Sequence, residues 1–180
     1  MKKLLQRLLL CAAMVGLLSV AGMKQAQAQV VLDTPNWEVL ADSVDWLSIA
    51  GNQTRGLAAN PVTGNLIVAT RAAGTEVKVI SAEDGSVIRN MEIGAISGGF
   101  FPVNRIAVSE DGQIFVTNFS LNGPEHRIYW WADEEADAKM VWDGNPYGNR
   151  IGDGFGVTGS GDDIKVYVSG TFQSQMAEFT

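Results

Sequence analysis

The sequence predicts an all-β protein, and three observations predict it. A pair of apolar strands joined by a polar turn recurs at a fixed distance: Arg55 to Asn60 aligns with Asn104 to Ser109, and that with Asp153 to Thr158, each step being 49 residues. A second strand follows each turn, and in the first two units a third and a fourth follow. No window after residue 28 carries the 3.6-residue period of an amphipathic helix. Four short strands in roughly 40 to 50 residues are the signature of a β-propeller blade. The expectation is therefore an incomplete β-propeller of two full four-stranded blades plus part of a third, with units at about 53–98, 102–148 and 151–180.

The chain opens with the layout of a secretory signal peptide over residues 1–28. Lys2, Lys3 and Arg7 form a basic start, an apolar run extends from Leu8 to about Val20, and Ala26-Gln27-Ala28 supplies a small-residue cleavage site. The uncharged run between Arg7 and Lys24 is 16 residues, short of the roughly 20 that a spanning helix needs. Cleavage is expected to send a domain of residues 29–180 to the extracellular space or the periplasm, with no membrane insertion. A lipid anchor is disfavoured, because Cys11 follows Leu10 rather than a small residue and sits early in the apolar run.

Cleavage changes the composition. All 20 acidic residues lie beyond position 28 while four basic ones precede it, so the mature charge is −11. The single cysteine is lost as well, leaving neither disulfides nor thiolate metal ligands. A strongly acidic domain repels nucleic acid, anionic membranes and polyanionic sugars.

Residues 30–52 read as a lead-in, with strands at Val30-Val31-Leu32, Trp37 to Leu40 and Trp46 to Ile49, broken by Pro35 and Gly51-Asn52. In the first repeat Leu66 to Thr70 follows the turn Pro61 to Asn65. Val77 to Ser81 and Ser86 to Met91 follow in turn, joined by Glu83-Asp84-Gly85. In the second, Gln113 to Asn118 follows Glu110-Asp111-Gly112. Arg127 to Trp131 and Lys139 to Trp142 then flank an acidic turn from Asp133 to Asp137, whose carboxylates, like those of Asp162 and Asp163, read as solvated hairpin tips. In the third, Ile164 to Ser169 follows Gly159 to Asp163. Glycine after Asp or Thr supplies the positive φ of tight hairpins. Propellers close with about four to eight blades, so a chain with two blades and a part reads as a fragment of a longer protein.

The strings Gly56 to Val68 and Ile106 to Val116 resemble the inner-strand pairs of NHL-type propellers. Asn52 to Ala58, followed by Ile128 to Glu134, is similar to an uncharacterised family of secreted bacterial propeller proteins, whose members often carry a C-terminal type IX secretion sorting tail; no such tail stands in this sequence. The resemblance runs from about Trp37 onward and implies a scaffold. It brings no catalytic residues with it.

Arg55, Asn104 and Asp153 occupy the same slot of the repeat, just before the first strand of each unit. First strands line a propeller's channel, so these residues, with Arg105 and Arg150 close by, are expected near the channel mouth. Arg55, Asn104, Arg105 and Asp153 are the candidate ligand-binding residues. Asn104, Asn118 and Asp153 are candidate ligands for a channel calcium ion of the kind lactonase-type propellers use; no other cofactor is implied. His126, the only histidine, stands at the start of an outer strand, where neither a catalytic triad nor a metal cluster is expected. Gly152 to Gly156 reads as close strand packing, since no helix follows it to hold a phosphate. Of Trp130 and Trp131, which alternate across a strand, one is expected in the core and one exposed. Asn52 and Asn118 begin glycosylation acceptor patterns, relevant in a eukaryotic host.

The expected function is a secreted or cell-surface scaffold binding a protein, peptide or glycan partner on its channel face, without assigned catalysis. The alternative is a calcium-dependent lactonase or hydrolase.

Overall fold

The computed structural model describes residue 32 and residues 34–180 except 95, 123, 124 and 173. The expected signal peptide, Cys11 and Val30-Val31 lie outside the described residues. Residues 36–180 form one unit, distinct from residues 1–35, and carry every strand described below.

The first four strands are β1 (Thr54–Ala59), β2 (Leu66–Thr70), β3 (Glu76–Ile80) and β4 (Val87–Asn90), paired in that order as an antiparallel meander. The next four repeat the pattern: β5 (Phe101–Val108), β6 (Ile114–Phe119), β7 (Arg127–Trp131) and β8 (Lys139–Asp143). A third sheet holds β9 (Gly154–Thr158), β10 (Lys165–Ser169) and β11 (Met176–Phe179). The chain is thus all-β as expected, with one turn of 3-10 helix at Gly161–Asp163 and no α-helix among the described residues. None of the three sheets closes on itself.

Side-chain alternation explains how the sheets stack. Ile114 and Val116 of β6 lie across from Trp131 and Tyr129 of β7, and all four join Ile67, Val77 and Val79 of the first sheet in one core. The intervening Phe115 and Ile128 turn the other way and meet Val166 of the third sheet, with Phe155, Trp142 and Phe179 packed around them. The second sheet is therefore covered on both faces, which is why every residue of β6 is buried and why it reads as a nearly continuous apolar run.

Successive inner hairpins also touch. Gly112 has φ +88°, a conformation that favours glycine, and a Cβ there would press on Val62 and Asn60 of the preceding hairpin at 3.1–3.2 Å. On its other side the same turn joins the third sheet: Glu110 donates its backbone N–H to the Gly159 carbonyl at 3.0 Å. Asp111 accepts from Gly161 N at 2.9 Å. Bonds from Ser109, Gly161 and Gln113 hold the Asp111 carboxyl down to about 2.

Two expectations are corrected. Trp37 to Leu40 and Trp46 to Ile49 form no strands. A turn closed by Ser43 N to the Leu40 carbonyl interrupts them, and Trp46, Val39, Val44 and Leu47 instead lie as an irregular cover over Val68 and Ile80, the outer face of the first sheet. Burying apolar surface there satisfies these residues without a ladder. The second correction is Glu134, which is no solvated tip. It is half-buried and accepts from Asn60 Nδ2 at 2.8 Å, Thr63 Oγ1 at 2.5 Å and Asn65 Nδ2 at 2.9 Å, clasping the second sheet to the first hairpin. Because Glu134→Ala strands three donors, it is expected to lower the unfolding free energy by about 1–3 kcal/mol in urea denaturation. Glu135→Ala, which removes only an exposed pair with Arg89 at 2.8 Å, is expected to change it by less than about 0.5 kcal/mol.

Candidate functional site

The site is built where the first strands of the three sheets run side by side. Gly56 of β1 packs so closely on β5 that a Cβ would stand 3.1 Å from Ile106 N and 3.3 Å from the Arg105 carbonyl carbon. This approach brings the heads of β1 and β5 together. Arg105 then reaches both ways: its Nε donates to the Asp153 carbonyl at 3.0 Å and its Nη1 to the Arg55 carbonyl at 3.3 Å. One side chain of the middle sheet thereby ties the heads of β1, β5 and β9.

Three of the four expected binding residues meet here. Arg55, Arg105 and Asp153 line an open groove of about 310 Å³, to which Gly56 and Gly154 contribute backbone only. Asn104 does not face it. It is fully buried and donates its amide to the Gly152 carbonyl, so its role is to hold the entry to β9. Gly152 itself has φ +94°, and any side chain there would overlap the Asn118 carbonyl. Gly152 is therefore a packing glycine, whereas Gly156 has nothing within 4 Å of its missing side chain.

Asp153 is already occupied. Arg150 grips its carboxylate with two bonds, Nε at 2.7 Å and Nη2 at 2.6 Å, and Thr171 N adds a third at 2.8 Å. The Arg150 guanidinium, helped by the Thr171 amide, overcomes the effect of burial and holds the Asp153 carboxyl at about 2. Asn118, the third calcium candidate, is spent within its own loop: its Nδ2 donates to the Glu125 carbonyl at 2.8 Å and its Oδ1 accepts from Arg127 N at 2.9 Å. Both Asn104 and Asn118 present amide N–H to neighbouring carbonyls, and of their two amide oxygens only that of Asn104 is without a partner among the described residues. No cluster of three or more His, Cys, Asp or Glu residues with metal-binding geometry occurs among the described residues. Asn118 is also fully buried, so its glycosylation pattern is closed to a transferase, while Asn52 is exposed.

The residues missed in the sequence are Arg71 and a phenylalanine platform. Arg71 stacks on the Phe101 ring at 3.7 Å, Arg55 stands 5.6 Å from the same ring, and Arg150 lies 4.6 Å from Phe119. Phe101 and Phe119 stack on each other at 5.5 Å. Antiparallel register could have revealed Arg71. Thr54 pairs with Thr70, so the residue leaving the second strand lies beside the residue entering the first.

Four guanidiniums thus share this end of the sheets with one carboxylate that forms an ion pair. Burial, then the nearby Arg105, lowers the proton affinity of Arg55. Burial, then Arg55, does the same to Arg71. Arginine keeps its charge under such pressure, so the cost persists as like-charge repulsion.

A larger apolar cleft of about 570 Å³ lies elsewhere, between the second and third sheets, lined by Phe115, Trp130, Trp142, Ile164 and Phe179. It is the opening of the second core and carries no titrating pair.

No protein-family model matches the sequence, and no curated protein matches it. Among solved structures the chain is similar to a DUF4623 family protein from Bacteroides eggerthii, with a TM-score of 0.58 and 15% identity over 71% of this chain and 31% of that one. An overlay on a gluconolactonase from Xanthomonas campestris gives a TM-score of 0.41 and 15% identity over 65% of this chain and 34% of that one. The chain spans about a third of the length of either protein. The likeness to the first is one of fold, a distant all-β relationship.

Proposed function

We propose that the three sheets are successive blades of an NHL-like propeller, exported by its N-terminal segment, and that the face formed by the heads of β1, β5 and β9 binds a protein, peptide or glycan partner without catalysing a reaction on it. The observation that carries this reading is Arg55. Its half-buried guanidinium makes no hydrogen bond or ion pair with the described residues, although it borders a groove beside a second arginine. A partly desolvated cation whose only contact among the described residues is an aromatic ring at 5.6 Å keeps its hydrogen-bonding groups free for a ligand.

Capture of the labelled chain on glycan and peptide arrays tests the proposal. Capture is expected to survive chelation by EDTA and to fall by about tenfold or more in Arg55→Gln or Arg105→Gln, the loss of one charge-assisted hydrogen bond or two. A rise in Tm at millimolar calcium that Asp153→Ala abolishes would replace this reading with the calcium-dependent lactonase or hydrolase.

A further inference from the structure

We infer that the arginine groove recognises a single carboxylate carried on a small apolar or ring-bearing body; the inference rests on the binding reading of the same groove and names its ligand class. The hydrogen-bond inventory comes first. Arg150 spends its fork on Asp153. Arg71 gives Nη2 to the Asn52 carbonyl and lays its plane on Phe101. Arg105 is fixed in place by bonds from Nε and Nη1, which leaves Nη2. Arg55 has its whole fork to offer. Two guanidiniums with N–H groups to spare, one pinned and one with no hydrogen bond or ion pair among the described residues, border one groove. A planar carboxylate matches a guanidinium fork with two parallel bonds, and it would cancel the repulsion that Arg55 and Arg105 exert on each other.

The number of charges follows from the surroundings. Asp153 lines the same groove with its carboxylate already paired with Arg150, and the chain carries a net charge of −7. That field repels a polyanion while two nearby guanidiniums still attract an isolated anion. The body of the ligand follows from the rest of the wall. In a wall that is otherwise mainly polar, Leu57 lines the groove 65% exposed and offers an alkyl surface beside the cations that suits a ring or alkyl group. A space of about 310 Å³ lies at the low end of small-ligand pockets, room for one ring rather than an extended chain.

The test is thermal denaturation of the full 180-residue chain at constant ionic strength with benzoate, benzyl alcohol, acetate, sulfate and citrate as probes. Benzoate is expected to raise Tm saturably and more than acetate, with benzyl alcohol, sulfate and citrate giving no saturable shift. Arg55→Gln is expected to weaken benzoate about tenfold or more while raising the Tm of the ligand-free chain, because it removes a repelled cation. Arg55→Lys is expected to recover only part of the affinity, since it restores charge without the fork. Arg89→Gln, outside the groove, is expected to leave benzoate binding unchanged. An equal shift from benzyl alcohol, a larger one from sulfate or citrate, or an unchanged benzoate affinity in Arg55→Gln would overturn the inference. Array capture that depends on Arg55 but is not competed by benzoate overturns the ligand class and leaves the binding reading standing. Benzoate binding through Arg55 with no capture on either array supports the carboxylate site and removes the macromolecular partner.

Discussion

Replacing Trp131 by alanine is expected to lower the unfolding free energy by about 3–5 kcal/mol, the range for truncating a buried tryptophan. Trp131 is fully buried at the centre of the core between the first two sheets. Its indole N–H donates to the Glu92 carbonyl at 2.7 Å. Truncation would open a cavity against Ile114, which faces Trp131 across the ladder, and would strand that carbonyl beneath the loop leading into the second sheet. Single domains are stable by roughly 5–15 kcal/mol, so the variant should retain only a fraction of its stability. Trp130, one residue earlier, faces the opposite side of the sheet. It is half-buried, bonds Gln113 Oε1 at 2.7 Å and lies under Lys139 Nζ at 5.3 Å. Trp130→Ala is expected to cost about 1–2 kcal/mol, less than Trp131→Ala because part of its area already meets solvent. Urea titrations of the two variants give the comparison. Equal losses would show that the two cores are not separately filled as the alternation of β7 requires.

That alternation was legible in the sequence because strand side chains point by turns to opposite faces. The fixed 49-residue step located β1, β5 and β9, and the Asp-Gly and Thr-Gly pairs located their hairpins. Arg127–Trp131 falls where its pattern put it. The lead-in was not legible for a physical reason. Val39, Val44, Trp46 and Leu47 are apolar enough for strands, but a two-sided ladder and an irregular cover bury such residues equally well, and local pattern does not distinguish them. The same limit applies to Glu134, whose three donors lie some 70 residues away in sequence. At the candidate site, repeat register put Arg55, Asn104 and Asp153 in one slot with Arg105 beside it, and the structure brings Arg55, Arg105 and Asp153 together. It could not tell that Asn104 turns inward, because β1 and β5 each carry a register shift, between Thr54 and Gly56 and between Phe101 and Arg105, so that equal repeat slots need not face the same way. A bulge of this sort leaves little trace in composition.

Acid is expected to destabilise the fold in two separate windows, the upper one set by His126. The imidazole is fully buried just before β7, with Nε2 2.7 Å from the Thr117 hydroxyl and no protein partner at Nδ1 among the described residues. Burial pushes its pKa down from 6.5 to about 4. The folded state therefore holds the neutral ring, and the unfolded state takes the proton first as pH falls. Stability from this group is complete above about 6.5, declines by about 1.4 kcal/mol per pH unit between about 6.5 and 4, and levels off below, a total loss of about 3 kcal/mol. Asp153 acts in the next window. With its folded pKa at about 2 against 3.8, its contribution is present above about 4 and is lost as pH falls toward 2, when Arg150 loses its partner. His126→Gln should flatten the upper window and leave the lower, and Asp153→Asn should shrink the lower, which Asp111 shares, and leave the upper. Urea unfolding from pH 2.5 to 8 measures both. The chain has a single histidine, so its imidazole resonances can be followed without ambiguity, and they should stay unshifted until pH approaches about 4. Titration near 6.5 in the folded protein would mean that the ring is solvated. Thr117, which holds that ring, is the register partner of Arg105, so the same spectra report on the strand paired with the one that carries Arg105.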